Sequence, residues 1–187
     1  MNKTLKMLSY SDFFILSGFS LIGSILPIYI NNNLVGGSIF FAGLSTTVLL
    51  LTRTIFQILF AYKFNPKDRL WLLHWGSLII ALVPFGYLFS TNIWHFLIVQ
   101  FIYGMGASMA YPAWNSFWVS NSDKGKKGFQ WAVYNSAITA GSAVTALVGA
   151  WLAEVANFMS VFLLTGILSL IGVIFLLRIE KSALKKY

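Results

Sequence analysis

Apolar residues gather in six long blocks, at about 11–30, 39–61, 70–89, 94–119, 129–152 and 158–178, broken only by isolated polar positions. Roughly 20 helical residues cross the hydrocarbon layer of a bilayer, so each block is long enough to span one. A segment in lipid must satisfy its own backbone groups, and none of these blocks shows the strict alternation of a barrel strand, so each predicts a helix. The separators carry turn chemistry: Asn31-Asn32-Asn33 with Gly36-Gly37, Asn65-Pro66-Lys67-Asp68, Ser90-Thr91-Asn92, Ser120 through Gly128, and Ala156-Asn157. Residues 1–187 are therefore expected to form a single all-α integral membrane domain of six transmembrane helices. Lys3 and Lys6 ahead of the first block resemble the start of a signal peptide, but the block is too long and lacks a small-x-small cleavage site, which predicts a retained first helix.

Composition agrees with this and removes several function classes. The chain of 187 residues is 58% hydrophobic and 10% charged, where soluble domains are about 25% charged. Without cysteine there is no disulfide framework, zinc-thiolate site, iron-sulfur cluster or cysteine nucleophile. The net charge of +8 does not form the single solvated face that a nucleic-acid partner needs. The basic residues fall instead into alternate connections. Lys3 and Lys6 precede the first span, Lys63, Lys67 and Arg69 follow the second, Lys124, Lys126 and Lys127 follow the fourth, and Arg178, Lys181, Lys185 and Lys186 follow the sixth. The first, third and fifth connections have none, so by the positive-inside rule both termini are expected to be cytoplasmic. The same charges suit anchoring to lipid headgroups.

The two halves of the chain echo one another. Pro27-Ile28-Tyr29 in the first helix matches Pro112-Ala113-Trp114 in the fourth, each preceded by glycines, Gly18 and Gly23 in one and Gly104 and Gly106 in the other. Gly37 pairs with Gly128 at the openings of the second and fifth helices, and Gly76 with Gly166 in the third and sixth. Three helices per copy is an odd number, so the copies would run in opposite directions as an inverted 3+3 repeat. Glycine and proline are common in membrane helices in any case.

Four stretches carry a resemblance to a known family: Ser11-Asp12-Phe13 through Pro27-Ile28-Tyr29-Ile30, Tyr103-Gly104-Met105-Gly106 through Tyr111-Pro112, Asp123-Lys124-Gly125-Lys126, and Gly149-Ala150-Trp151-Leu152-Ala153-Glu154. With them the chain resembles one six-helix half, the N-terminal one, of a major facilitator superfamily transporter. The second connection keeps the Lys67, Asp68 and Arg69 part of the family's loop motif but lacks its glycines. Gln100 stands where the family often has arginine, and Gly141-Ser142 replaces the glycine-proline of antiporters, with Gly149 retained; these departures argue against proton-driven antiport. The resemblance implies a cleft lined by the first and fourth helices, a seam made by the second and fifth, and substrate held between two halves. Two identical chains of one orientation would supply both halves, so a parallel homodimer, or pairing with a second six-helix half, is expected.

Individual residues refine this. The third and sixth helices are almost free of polar groups, which predicts a peripheral, lipid-facing place for them, whereas the polar second and fifth need partners or a wet cavity. Arg53, eight residues from the end of its block, would lie about 12 Å deep, with no acid expected at its level. Such a charge faces a cavity, finds a counter-ion or snorkels. Asp12 is placed at the first turn of its helix, where it suits the helix dipole or, if buried, carries a proton. Tyr29, Gln100, Tyr103, Tyr111, Trp114, Asn115, Tyr134 and Asn135 are pocket candidates or members of an interfacial aromatic belt. Pro27, Gly104, Gly106 and Pro112 are gating hinges or fixed bends. The small-residue series through Gly141, Thr145 and Gly149 is a packing ridge within the chain or a sliding seam. His74 and His95 are too far apart in depth for a shared metal, and no phosphate loop, paired carboxylates or serine-histidine arrangement is present, so neither a cofactor, a metal nor an enzymatic activity is expected.

The sequence thus reads as a multi-pass cell-membrane protein that moves a small solute, favoured by Arg53 to be anionic, through alternating access between two paired copies. The competing reading is a non-transporting membrane subunit or scaffold that pairs with another half-size membrane protein.

Overall fold

A computed structural model describes residues 3–63 and 69–179. In chain order the described helices are α1 (Lys3–Gly23), α2 (Leu26–Asn33), α3 (Ile39–Lys63), α4 (Arg69–Leu88), α5 (Ile93–Asn121), α6 (Lys127–Val155) and α7 (Phe158–Leu177). Six of them are long and apolar enough to cross a membrane, and there is no named strand among the described residues. Lys67 and Asp68 of the loop motif lie outside the described residues.

The boundaries differ from the sequence expectation in an instructive way. The first span begins at Lys3 rather than near residue 11, and the fourth and fifth are 29 residues each. Hydropathy marks only the part of a helix that sits in hydrocarbon, whereas the backbone bonds continue through Ser9 and Ser11 into the interface. The first span is also two helices instead of one. Pro27 has no N–H for the Gly23 carbonyl, and its ring crowds that turn. The chain therefore breaks at residues 24–25 and restarts with Pro27 in the first turn of α2, where proline is tolerated. Pro112 and Pro84, by contrast, lie inside continuous helices.

Side-chain packing orders the helices as an open ring. α1 packs on α7 and α6, α5 packs on α4 and α3, and α4 and α7 join the two groups, giving the order α3, α5, α4, α7, α1, α6. The third and sixth spans, α4 and α7, are therefore central within the chain, not at its edge. Each is buried on one side and presents apolar residues on the other: Trp71, Trp75 and Leu82 on α4, and Leu163, Ile167 and Ile174 on α7 are exposed. The helices left at the ring's free edges are α3 and α6.

Two apolar clusters mark the ends of the bundle. One unites Leu5, Leu70, Trp118 and Leu176, so the start of α1 and the end of α7 lie together. The other unites Ile30, Leu34, Tyr87, Ile93 and Phe162. The described basic residues other than Arg53 cluster at the first of these ends, which we term the basic end, with Lys63 closing α3 and Arg69 opening α4. There Arg69 donates to the Ser116 hydroxyl. His74 Nε2 lies 3.0 Å from the Leu176 carbonyl oxygen, near that end, while His95 lies in the first turn of α5 at the other. At that far end Val35 N–H donates to Thr91 O at 3.2 Å and Ile93 N–H to Val35 O at 3.1 Å, tying two connections together. Asn92 and Asn157 cap α5 and α7 by accepting from His95 N–H at 3.0 Å and Ser160 N–H at 2.9 Å.

Candidate functional site

Helices in lipid associate through close packing and not through the hydrophobic effect, so what brings α1, α3, α5 and α6 together is a set of small residues. A methyl group added at Gly104 on α5 would fall 2.6 Å from Thr52 Cβ of α3. At Gly106 it would meet Ile79 of α4 at 2.7 Å, and at Gly141 of α6 it would meet the Phe13 ring of α1 at 2.6 Å. At Gly149 the methyl would drive into the backbone of Leu21, 2.6 Å from its carbonyl carbon. Gly141 and Gly149 thus pack α6 onto α1 within the chain. Thr145, between them, turns its hydroxyl to the Gly141 carbonyl at 2.9 Å.

These contacts bring one polar cluster together near the middle of the basic half. The Arg53 guanidinium lies 3.9 Å from the centroid of the Tyr111 ring, a cation–π contact between α3 and α5. Tyr111 is within electrostatic reach of both Arg53 and Asp12. Asp12 Oδ2 in turn accepts a hydrogen bond from the Tyr134 hydroxyl, joining α1 to α6. Asp12, Ser77, Tyr103, Tyr111 and Trp114 line a cavity of about 30 Å³, enough for a single water molecule. Trp114 Nε1 is buried with no hydrogen-bond partner among the described residues. Beside it Trp114, Trp118, Trp131 and Tyr134 form an aromatic pile, with Trp114 stacked on Trp118 at 5.1 Å and Tyr134 4.5 Å from Trp118. Tyr103 stacks on Phe19 of α1 at 4.9 Å.

Asp12 changes the sequence reading most. Nine residues separate it from the start of α1 at Lys3, and ten separate Arg53 from the end of α3 at Lys63. At 1.5 Å per residue both lie about 15 Å along their helices. An acid therefore does sit at the level of Arg53, and the expected first-turn position for Asp12 is corrected by the earlier start of its helix.

Of the residues expected to form a pocket, Arg53, Tyr103, Trp114 and Tyr134 come together here. Tyr29 does not: its ring packs among Phe96, Phe158 and Phe162 at the far end, and its hydroxyl donates to Ser90 O at 3.4 Å. Gln100 is buried against α4, where its Oε1 accepts from Tyr87 OH at 3.4 Å. Asn115 and Asn135 are exposed on α5 and α6. Tyr111, also expected as a pocket residue, joins the cluster, and Asp12 is the member that its expected first-turn position left out of the pocket. In the fourth connection, Gln130 and Asp123 clamp the loop through Asp123 N–H to Gln130 Oε1 at 3.0 Å and Gln130 Nε2 to Asp123 Oδ2 at 2.6 Å, around Gly125 in the left-handed region at φ 83°.

The Tyr134–Asp12 bond makes a direct prediction. Tyr134→Phe removes the donor and leaves the carboxyl facing an apolar ring, which is expected to lower stability by about 1 kcal/mol. The shift in an SDS-unfolding midpoint in mixed micelles measures it, and Asn135→Ala, which changes an exposed neighbour, serves as the comparison.

A bundle of six helices long and apolar enough to cross a membrane, joined by small-residue crossings, defines a polytopic membrane protein. The Major Facilitator Superfamily model matches residues 8–186, and the chain belongs to that family. It is 25% identical over 158 residues to the "Multi-drug resistance efflux pump PmrA homolog" of Lactococcus lactis subsp. lactis (strain IL1403), covering 83% of this chain and 39% of the pump. It is 23% identical over 164 residues to the "Multi-drug resistance efflux pump PmrA" of Streptococcus pneumoniae serotype 4 (strain ATCC BAA-334 / TIGR4), covering 87% of this chain and 41% of the pump. The chain thus spans about two fifths of the length of these relatives. Its fold is similar to that of the POT family transporter PepTSo, solved in meso, with a TM-score of 0.77 over 95% of this chain and 37% of that one at 17% identity.

Proposed function

We propose that this chain forms one wall of a membrane transporter, pairs in parallel with a second copy of itself, and moves a small anionic solute by alternating access. One observation carries the pairing. Only 11% of the most apolar stretch of α3 and of α6 is buried, against 44% to 56% for the other four spans, and both helices carry several exposed polar residues. Thr46, Thr47 and Thr54 on α3, and Asn135, Ser136 and Thr139 on α6, are uncovered at membrane depth. The outward faces of α4 and α7 are apolar and suit lipid, whereas a face bearing amides and hydroxyls suits protein or water.

The packing supports an inverted 3+3 repeat. Exchanging the first span with the fourth, the second with the fifth and the third with the sixth turns α1–α7 into α5–α4 and α3–α5 into α6–α1, and leaves α4–α7 as it is. With the basic end cytoplasmic, as the loop charges favour, α1 and α5 face the cleft and α3 and α6 form the seam. Arg53 and the unpaired Trp114 N–H place hydrogen-bond donors on one wall, a lining suited to a carboxylate or another anion. The relatives' names report multidrug efflux; the apolar, aromatic lining here supports an amphipathic anion as the solute.

The natural chain has no cysteine, so single cysteines report contacts without background. Thr47→Cys and Thr139→Cys placed on α3 and α6 are expected to cross-link copies to each other in native membranes, while Ile167→Cys on the lipid face of α7 does not. Efficient cross-linking to a different six-helix protein, or equal cross-linking at all three sites, would favour the scaffold reading.

A further inference from the structure

The helices α6 and α7 are joined at the far end through residues 156–157 and touch each other little. Toward the basic end they part, and α1 becomes the floor of the gap. The resulting groove encloses about 650 Å³ and is lined from α1 by Lys6, Ser9, Tyr10, Phe13 and Phe14, from α6 by Val133, Tyr134 and Ala137, and from α7 by Phe175. Phe175 stacks on Phe14 at 5.6 Å and tilts against Tyr10 at 5.7 Å, so the floor and one wall form a continuous aromatic surface.

Polarity along this groove is graded. Lys6, Ser9 and Tyr10 lie at the mouth, and beyond them every lining side chain except Tyr134 is a hydrocarbon. From Lys6 to Phe14 is eight residues, about 12 Å of helix, which is less than half of a hydrocarbon layer about 30 Å thick. The groove is therefore confined to one leaflet, with its cation at headgroup level and its apolar trough at acyl depth.

From this gradient we propose that the groove is a binding site for one anionic phospholipid of the leaflet at the basic end. Its phosphate is held by Lys6 and the Tyr10 hydroxyl, the Ser9 hydroxyl being already donated to Leu5 O at 2.9 Å, and one acyl chain lies along Phe13, Phe14 and Phe175. A zwitterionic lipid fits the trough but gains less at the mouth. A cation near an anionic headgroup contributes about a fivefold preference. Occupancy also reaches the polar cluster, because the Tyr134 ring lines the trough while its hydroxyl holds Asp12. A seated chain braces that ring and strengthens the tie between α1 and α6, so the bound lipid stabilises the bundle. This site is independent of the pairing proposed above and of which side of the membrane the basic end occupies.

The test is lipid retention by the purified, detergent-solubilised chain, read by native mass spectrometry after addition of equal amounts of dioleoyl phosphatidylglycerol and dioleoyl phosphatidylcholine. The expected result is about fivefold greater retention of phosphatidylglycerol. Lys6→Gln should reduce that preference to near unity, and Lys124→Gln, on another connection, should leave it intact. Ala137→Phe, at an exposed position, fills the trough and should abolish retention of both lipids while size-exclusion behaviour is unchanged. Equal retention of the two lipids, or a preference unaltered by Lys6→Gln, would overturn the proposal. So would efficient disulfide formation between copies through Val133→Cys, which would mean that protein fills the groove. If Ala137→Phe does not fold, the two lysine variants decide the matter.

Discussion

Gly149→Val is expected to unseat α6 from α1 and to cost on the order of 3 kcal/mol or more. Overpacking in a core typically costs about 1–3 kcal/mol because side chains can shift to relieve it. Here the obstacle is backbone: even the first added carbon would press into Leu21, 2.6 Å from both its Cα and its carbonyl carbon. No rotamer change relieves that contact, so the helices must separate. Separation also pulls Tyr134 from Asp12 and opens the trough beneath α6, and a single substitution therefore removes several contacts together. A loss of folded, monodisperse protein and a large drop in the SDS-unfolding midpoint are the expected readouts. Gly128→Ala is the control, because a methyl group at Gly128 meets nothing within 4 Å and alanine favours a helix by up to about 1 kcal/mol. Equal stability of Gly149→Val and the native chain would mean that α1 and α6 are not in close contact.

Arg53→Ala is expected to reduce proteoliposome uptake of an amphipathic anion at least tenfold while leaving the chain folded. A hydrogen bond to a charged group contributes about 1.5–3 kcal/mol, which corresponds to roughly ten- to hundredfold in rate or affinity. The guanidinium lies over the Tyr111 ring, 3.9 Å from its centroid. Arg53→Lys should recover part of the uptake: it keeps the charge but loses the flat stacking on the ring. If uptake of every anion tested is the same for the native chain and Arg53→Ala, the anionic part of the functional proposal fails, and the pairing of copies stands or falls separately on cross-linking.

Much of the architecture was legible because bilayer thickness imposes a length that a sequence displays directly. Six helices long enough to cross match the six blocks, the first of which is divided at residues 24–25, and Asn92 and Asn157 cap helices within the separators that turn chemistry had marked. What escaped was anything set by contact across long sequence separations. Asp12 and Tyr134 are 122 residues apart, and nothing local to either signals the other. Gln100 looked like a pocket residue because a buried amide needs a partner, but Tyr87 supplies one. Tyr29 was misplaced for a related reason, since the break at residues 24–25 turns α2 into a separate helix that packs on Phe158 and Phe162. The low polarity of the third and sixth spans predicted a peripheral, lipid-facing place. In the ring each has one lipid face and one packed face, and hydrocarbon side chains serve both, so composition does not separate them.

The aromatic pile beside Asp12 has an optical consequence. Trp114 and Trp118 stack nearly parallel, with an interplanar angle of 15°, and Trp131 stands edge-on to Trp118 at 81°. Rings held this close share their excited states, and two of the three belong to α5 while the third belongs to α6. Near-ultraviolet circular dichroism of the native chain therefore carries an exciton signature whose amplitude follows the spacing of those two helices. Any change in the spacing of α5 and α6 becomes visible in the protein's own spectrum, with no label attached.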